Sequence, residues 1–168
     1  FHTSCPSCNG KGCEDCRGTG LFPQAASVRW QGLHLTDLLA CTVEEACSIF
    51  EKVDLPPSAA RLQLEITHRL EALHTVGLGY ISLNRPSPTL SRGEAQRVRL
   101  AVALTSHLED MLYVLDEPTI GQHPADVAQL LVALRSLRGN VVFVEHDRAA
   151  AAAADWAVDL GPGAGPDG

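Results

Sequence analysis

The sequence lacks any hydrophobic run long enough to cross a membrane or to serve as a signal peptide, so we expect a cytoplasmic protein with no membrane contact. It also lacks an initial methionine, and Phe1 in that position is compatible with a piece of a longer protein. Lysine is scarce, occurring only as Lys11 and Lys52. Neither lysine stands in the G-x-x-x-x-G-K-[ST] frame of a phosphate-binding P-loop.

Basic residues are also scarce in the last third of the chain. Residues 1–108 carry ten acids and ten bases, whereas residues 109–168 carry ten acids and three bases, which accounts for the net charge of −7. This balance argues against a surface that binds polyanions by charge alone, and it leaves several carboxylates available to face a metal ion. At 168 residues, with 45% hydrophobic and 20% charged residues, the chain suits one globular domain with a small appendage.

Four cysteines are concentrated near the start, in two copies of one eight-residue unit, CPSCNGKG and CEDCRGTG. Two C-x-x-C pairs separated by four residues favour a closed tetrahedral zinc site formed by Cys5, Cys8, Cys13 and Cys16. A redox pair or an iron–sulfur cluster is the alternative. Cys41 and Cys47 lack this spacing and lie in an apolar helical stretch, which is typical of small core residues.

The first half of the chain is expected to be mainly helical. Residues 21–35 suggest a short hairpin or loop, and TVEEACSIFEKV predicts a helix with Thr42 as N-cap and Glu45 completing a capping box. A second helix, capped by Ser58, is expected to present one apolar face, and residues 78–84 (LGYISLN) are expected to form a short strand. The apolar face consists of Leu62, Ile66, Leu70 and Leu73.

The second half predicts an α/β fold with a doubly wound, mainly parallel sheet. A helix is expected from about Gly93, and MLYVLDEP predicts a strand buried on both faces. A helix from Pro124 to about Arg138, a second strand VVFVEHD, an alanine-rich helix and a third strand WAVDL complete the alternation. We expect three parts: a zinc module (1–22), a connecting helical region (23–88) and an α/β part (89–168).

Three candidate site features lie at the ends of these elements, where open α/β sheets bind ligands. Asp116 and Glu117 end the first strand, where one carboxylate suits Mg²⁺ and the next suits polarisation of a water molecule. His146 follows the second strand. The segment LSRGE (90–94) precedes a helix whose free N–H groups suit a phosphate, although an ordinary helix cap explains the same residues.

Taken together and in this order, the three features resemble the signature loop, the Walker B strand and the switch histidine of an ABC-type ATPase. GEAQRVRLA, YVLDEPTIGQH, VVFVEHD and ADWAVDLGPGAG are similar to the UvrA family of excinuclease proteins, as are TVEEA, RLEALHTVGLGYISLNRPSPTLS and the zinc units. The C-x-x-C-x-G-x-G unit alone also resembles the zinc repeats of DnaJ-type chaperones. Arg92 replaces a glycine of the usual signature, Gln122 stands where the family has leucine, and the cysteine pairs lie unusually close together.

The resemblance implies a part of a DNA-damage-recognition ATPase of nucleotide excision repair, with ATP, Mg²⁺ and Zn²⁺ as cofactors. It implies that Ser91, Arg92, Gly93 and Glu94 bind nucleotide, that Asp116 holds magnesium, and that Glu117 and His146 are catalytic. The implied partners are damaged duplex DNA, a UvrB-type repair protein and a second copy of the complete protein. Without a P-loop the chain is expected to be inactive alone. The alternatives are a paralogue protecting against DNA-intercalating drugs, a catalytically incomplete zinc and DNA-binding module, and an ABC transporter ATPase, which the zinc units disfavour.

Overall fold

A computed structural model describes residues 4–106 and 110–162. The chain divides into two compact units, one formed by residues 1–74 and 78–90 and the other by residues 75–77 and 91–168. The outer ends of the expected zinc module and of the expected α/β part lie outside the described residues. In the part of the chain that is described, no helix is both long and apolar enough to cross a membrane.

The first unit places a short hairpin after the cysteine-rich segment. A one-turn helix α1 (Pro23–Ala26) precedes strands β1 (Arg29–Trp30) and β2 (Leu33–His34), which pair antiparallel. The connecting residues, Gln31 and Gly32, have φ angles of 51° and 80°. Two consecutive left-handed residues match the right-handed twist of a two-residue hairpin, and the expected hairpin is therefore confirmed.

Helices form the rest of this unit and enclose its core. They are α2 (Leu35–Ala40), α3 (Val43–Lys52), α4 (Ala60–Thr75) and a 3₁₀ turn (Ser87–Thr89). The predicted capping box of α3 is confirmed: the Thr42 hydroxyl accepts from the Glu45 N–H at 3.2 Å, and the Glu45 carboxylate accepts from the Thr42 N–H at 2.8 Å. The core is built from apolar side chains of α3 and α4, namely Val43, Ala46, Phe50 and Leu70.

Three expectations for this unit are wrong. Helix α4 begins at Ala60, so Ala59 and not Ser58 precedes its first residue. Leu62 is 60% exposed, because the apolar face of α4 that meets the core starts one turn later at Ile66. Residues 78–84 form turns with a single bridge between Ser82 and Thr42, because their long-range backbone hydrogen-bond partners lie in and between helices α2 and α3 and not on a strand. These partners are Leu39, Cys41, Val43 and Glu44.

The second unit alternates helices and parallel strands. It contains α5 (Arg92–Leu104), β3 (Met111–Asp116), α6 (Pro124–Arg135), β4 (Gly139–Val144) and α7 (Arg148–Ala153). Strands β3 and β4 pair parallel from Met111 opposite Gly139 to Asp116 opposite Val144. The carboxyl ends of both strands therefore lie side by side. The predicted α/β class with a parallel sheet is confirmed.

The sheet itself is smaller than the sequence suggests. Leu112 and Val114 are 61% and 70% exposed, so the expectation that β3 is buried on both faces is wrong. The physical reason is that no element among the described residues covers the face that carries these side chains, on which Val142 and Val144 of β4 are also exposed. The expected third strand at residues 156–160 is also wrong, since this segment forms a bend and irregular structure, with Trp156 92% exposed.

Candidate zinc and nucleotide sites

The first candidate site is the cluster of four cysteines, whose Sγ atoms all lie within 4.8 Å of one another. The Sγ atoms of Cys13 and Cys16 are 3.7 Å apart, and those of the pairs Cys5–Cys13 and Cys8–Cys16 are 3.8 Å apart. Four thiolates around zinc at Zn–S distances of about 2.3 Å would be about 3.8 Å apart. The donor set and its spacing therefore fit one tetrahedral Zn²⁺.

The two repeated units adopt the same local turns, which explains why the sequence repeats. The N–H groups of Lys11 and Thr19 each donate to the carbonyl of the second cysteine in their own unit at 3.1 Å. One residue later, the N–H groups of Gly12 and Gly20 donate to the Sγ atoms of those cysteines at 3.2 and 3.3 Å. Each repeated unit, which we call a zinc knuckle, therefore directs a backbone N–H group at the Sγ atom of its second cysteine.

The glycines of the two units also hold the units against each other. Gly12 has a φ of 90°, and a Cβ there would lie 2.7 Å from the carbonyl oxygen of Gly18. A Cβ at Gly20, with a φ of 70°, would clash with the carbonyl of Gly10. These close approaches require glycine at both positions.

The thiols within the cluster differ in acidity. Burial disfavours the thiolate of Cys16, but hydrogen bonds from the N–H groups of Cys13 and Gly20 outweigh it and lower the pKa of this thiol to about 6. A backbone hydrogen bond from Cys16 lowers the pKa of the Cys13 thiol. Burial and hydrogen bonds with the adjacent thiols outweigh this effect and raise the pKa to about 12. Because metal ligands must be thiolates, zinc binding at neutral pH would displace protons from this cluster.

The two remaining cysteines are not part of the cluster. Cys47 packs against the core of the first unit, and burial followed by the nearby carboxylates raises the pKa of its thiol. The Cys41 Sγ donates to the Asp37 carbonyl at 3.3 Å, at the C-terminal end of α2. Cys47 therefore behaves as the packing residue that the sequence predicts.

The second candidate site begins at the N-terminus of α5. Ser91 is the N-cap: its hydroxyl oxygen accepts from the Glu94 N–H at 3.2 Å, and the buried Glu94 carboxylate accepts from the Ser91 N–H at 2.7 Å. The capping function is thus present, and it leaves the Ser91 hydroxyl hydrogen able to donate to an anion. A Cβ on Gly93 would meet only the Arg97 guanidinium, at 3.9 Å, so the helix end is open to a close approach.

Asp116, at the end of β3, lies beside the same helix. Its carboxylate accepts from the Arg92 guanidinium at 2.6 Å, and its carbonyl accepts from the Gln96 amide at 3.0 Å. The side chains of Arg92 and Asp116 are largely exposed, at 87% and 62%, so the ion pair is screened by solvent and can exchange for another partner. A carboxylate oxygen in this position suits Mg²⁺.

Glu117 and His146 come together at the ends of the two parallel strands. Glu117 Oε1 lies 3.4 Å from His146 Nε2, although the residues are far apart in sequence. The Glu117 backbone has a φ of 46°, an uncommon value for a residue with a Cβ, and its N–H donates to the Val144 carbonyl at 2.9 Å. The arrangement can hold a carboxylate and an imidazole beside a reacting water.

Two residues near this site make contacts that the motifs in the sequence did not predict. Gln96 lies one helical turn after Arg92, and its position on the same face of α5 was the available signal. Glu145 precedes His146, and its carboxylate accepts from the N–H groups of Thr119 at 2.7 Å and His146 at 3.0 Å. An acid at the end of a second parallel strand was the signal in that case.

Comparison with known proteins finds one group of relatives along nearly the whole chain. The sequence is 45% identical over 163 residues to UvrABC system protein A of Treponema pallidum, an alignment that includes 93% of this chain. UvrABC system protein A of Thermus thermophilus is 45% identical over 162 residues, or 91% of this chain. The chain is homologous to a segment of UvrA proteins. No family model matches the sequence.

The structure gives the same result. The crystal structure of UvrA2 from Deinococcus radiodurans matches 89% of this chain with a TM-score of 0.80 and 36% sequence identity. The present chain spans only 17% of the length of the curated UvrA relatives and 21% of the solved UvrA2 chain. The resemblance to the UvrA family is therefore confirmed for a segment, and the activity of a complete UvrA protein is a separate question.

Proposed function

We propose that this chain is the part of a UvrA-type DNA-damage-recognition ATPase that carries a zinc module (1–22), a connecting helical region (23–88) and one half of an ABC ATPase domain (89–168). The complete protein would act in bacterial nucleotide excision repair in the cytoplasm. The observation that carries the proposal is the approach of Glu117 to His146 at 3.4 Å in a chain 45% identical to UvrABC system protein A.

The roles of the site residues follow from their positions. Ser91, Arg92, Gly93 and Glu94 form the start of α5. Ser91 and Arg92 are exposed there, so that N–H groups and a guanidinium suit the phosphates of ATP, and the buried Glu94 completes the capping box that shapes this end. Asp116 would hold Mg²⁺ once its exposed ion pair with Arg92 is released. Glu117 would accept a proton from the attacking water, and His146 would orient toward the terminal phosphate. Bound Mg²⁺ would supply charge neutralisation at the phosphates.

The P-loop lysine that such a site needs is not among the 168 residues, since Lys11 and Lys52 lack the frame. We therefore assign the signature half of a composite nucleotide site to this chain. The opposite half would come from another segment or from a second copy in a homodimer. Damaged duplex DNA and a UvrB-type protein would be the partners of the complete assembly.

The deciding experiment is single-turnover ATP hydrolysis in the complete protein with its other ATPase copy disabled. Glu117→Gln should bind ATP as the parent does and hydrolyse it much more slowly. Parental hydrolysis by this variant would refute the catalytic assignment and favour an incomplete zinc and DNA-binding module.

A second candidate function is that of a UvrA-like paralogue that protects against DNA-intercalating drugs. The observation that favours it is Arg92 in place of a signature glycine. Deleting the gene separates the two functions: sensitivity to ultraviolet light supports repair, whereas sensitivity confined to intercalating compounds supports the paralogue.

A further inference from the structure

The half-buried carboxylate of Glu145 joins the two turns that follow the parallel strands. Its Oε1 accepts from the Thr119 N–H at 2.7 Å, in the turn after β3. Its Oε2 accepts from the N–H groups of His146 at 3.0 Å and Asp147 at 3.4 Å, in the turn after β4. One side chain therefore binds both turns, using a different oxygen for each.

The turn after β3 needs such support. Glu117 holds an uncommon left-handed φ of 46°, and this conformation persists only where the surrounding structure fixes it. The Glu117 N–H donates to the Val144 carbonyl, and the Ile120 N–H donates back to the Glu117 carbonyl at 3.1 Å. Thr119 is 7% exposed and lies between these contacts, so its hydrogen bond to Glu145 anchors the centre of the turn.

We propose that Glu145 is a positioning residue that holds the Glu117 turn and the His146 turn in register, so that the two side chains meet at 3.4 Å. The proposal rests on the proposed function, because it concerns the same ATPase site. Only a carboxylate meets the geometry, since both of its oxygens face N–H donors, whereas a glutamine would direct its own NH₂ group at one of them.

The charge state of Glu145 agrees with this role. Burial raises the pKa of its carboxyl, but hydrogen bonds from the hydroxyl and N–H of Thr119 and from the N–H groups of His146 and Asp147 outweigh it. The pKa therefore lies below its ordinary value. The group is ionised at neutral pH and accepts all of these hydrogen bonds.

The direct test is amide hydrogen exchange by NMR in the 168-residue chain. In Glu145→Gln, at least one of the three amides of Thr119, His146 and Asp147 should exchange about tenfold faster than in the parent. This is the scale expected when a hydrogen bond to a charged acceptor is lost. The matched control is Asp155→Asn, which removes one negative charge from an exposed position of the same unit. Parental exchange at all three amides in Glu145→Gln would overturn the proposal.

The second readout is kinetic and uses the complete protein. Glu145→Gln should lower the single-turnover rate constant by about tenfold, again the scale of one such hydrogen bond, and leave the ATP affinity unchanged. An equal loss of affinity would contradict a positioning role. If Glu117→Gln is inactive while Glu145→Gln hydrolyses ATP at the parental rate, the proposed function stands and this inference fails. If Glu117→Gln is fully active, the proposed function fails, and the exchange measurement still decides the role of Glu145.

Discussion

Glu117 is the residue whose replacement best separates chemistry from structure. Glutamine keeps the size of the side chain and removes the charge that would accept a proton from water. We expect Glu117→Gln in the complete protein to retain ATP binding and to slow hydrolysis by ~10²-fold or more, the scale of general-base catalysis. The measurements are nucleotide affinity and single-turnover hydrolysis.

The matched control for this substitution is Glu65→Gln. Glu65 makes an exposed ion pair with Arg61 at 3.4 Å in the other compact unit. The same chemical change there should alter neither ATP affinity nor hydrolysis. A similar loss of hydrolysis in both variants would point to a general effect of charge instead of a role at the site.

The four clustered thiols make a second prediction at the residue scale. Purified protein should contain one Zn²⁺ per chain, and the double variant Cys13→Ser, Cys16→Ser should contain none. Cys41→Ser, Cys47→Ser is the control and should keep its zinc, since neither thiol belongs to the cluster. Metal analysis by mass spectrometry measures all three proteins, and equal zinc in the two double variants would refute the assignment.

The acidity of these thiols gives the sign of the pH dependence. Zinc requires thiolates, and protons compete with the metal for each sulfur. With the pKa of Cys13 raised to about 12 and that of Cys16 lowered to about 6, binding at neutral pH releases protons. Zinc affinity should therefore fall as the pH is lowered, and acidification of a weakly buffered solution on zinc addition measures the release.

At the scale of the element, the second zinc knuckle contains two glycines that allow a controlled comparison. Gly18 and Gly20 both have positive φ angles, so alanine is strained by about 1 kcal/mol at either position. Only at Gly20 would the added Cβ strike another backbone, the carbonyl of Gly10, whereas nothing lies within 4 Å at Gly18. We expect Gly20→Ala to weaken zinc binding ~10-fold more than Gly18→Ala, as measured by competition with a chelator.

The capping box of α3 allows a similar comparison between helices. Thr42→Ala removes a side-chain acceptor from the first turn and should lower the free energy of unfolding by about 1 kcal/mol. Ser58→Ala is the control, because α4 begins at Ala60 and Ser58 does not precede its first residue. Chemical denaturation followed by circular dichroism measures both. Equal destabilisation would show that Ser58 caps α4 in solution.

The elements that the sequence predicted correctly are those specified by local residues. The Thr42–Glu45 capping box, the start of α5 and the apolar runs of β3 and β4 follow from periodicity and capping chemistry that act within a few residues. The cap expected at Ser58 is a local error of one residue, whereas the two wrongly expected strands depend on distant partners. Residues 78–84 and 156–160 have strand-like composition, but a ladder also needs an extended neighbour. The long-range backbone hydrogen bonds of residues 78–84 go to the junction of α2 and α3, and residues 156–160 form no strand.

The candidate sites follow the same division. The C-x-x-C spacing predicted the four-cysteine cluster because its ligands are local. The strand ends identified Glu117 and His146 as candidate site residues, and the parallel pairing of β3 with β4 brings them together. The bridging contacts of Glu145 and the pairing of Arg92 with Asp116 depend on the register of separate elements, which no local pattern encodes.

At the scale of the whole molecule, two observations fit the proposed composite nucleotide site. One face of the β3–β4 sheet is exposed, and the sequence has no P-loop frame. Leu112, Val114, Val142 and Val144 are each at least 52% exposed, which is unusual for apolar strand residues next to a candidate site. The proposed composite site, whose opposite half another protein segment would supply, accounts for such an exposed face in a chain that matches 17% of each UvrA relative.

The corresponding prediction is that the 168-residue chain alone neither binds ATP tightly nor hydrolyses it, because positioning and charge stabilisation of the phosphates require both halves of the site. In the complete protein, Ser91→Ala should weaken the ATP-dependent closure of the two halves, since the proposal gives the lost hydroxyl at the start of α5 a hydrogen bond to a phosphate. Calorimetry on the isolated chain and ATP-dependent association of the complete protein test the two statements. Turnover by the isolated chain that survives Glu117→Gln would place the active site elsewhere. Unchanged association in Ser91→Ala would leave the hydroxyl with its capping role only, because Glu94 N–H is the contact that the structure gives it.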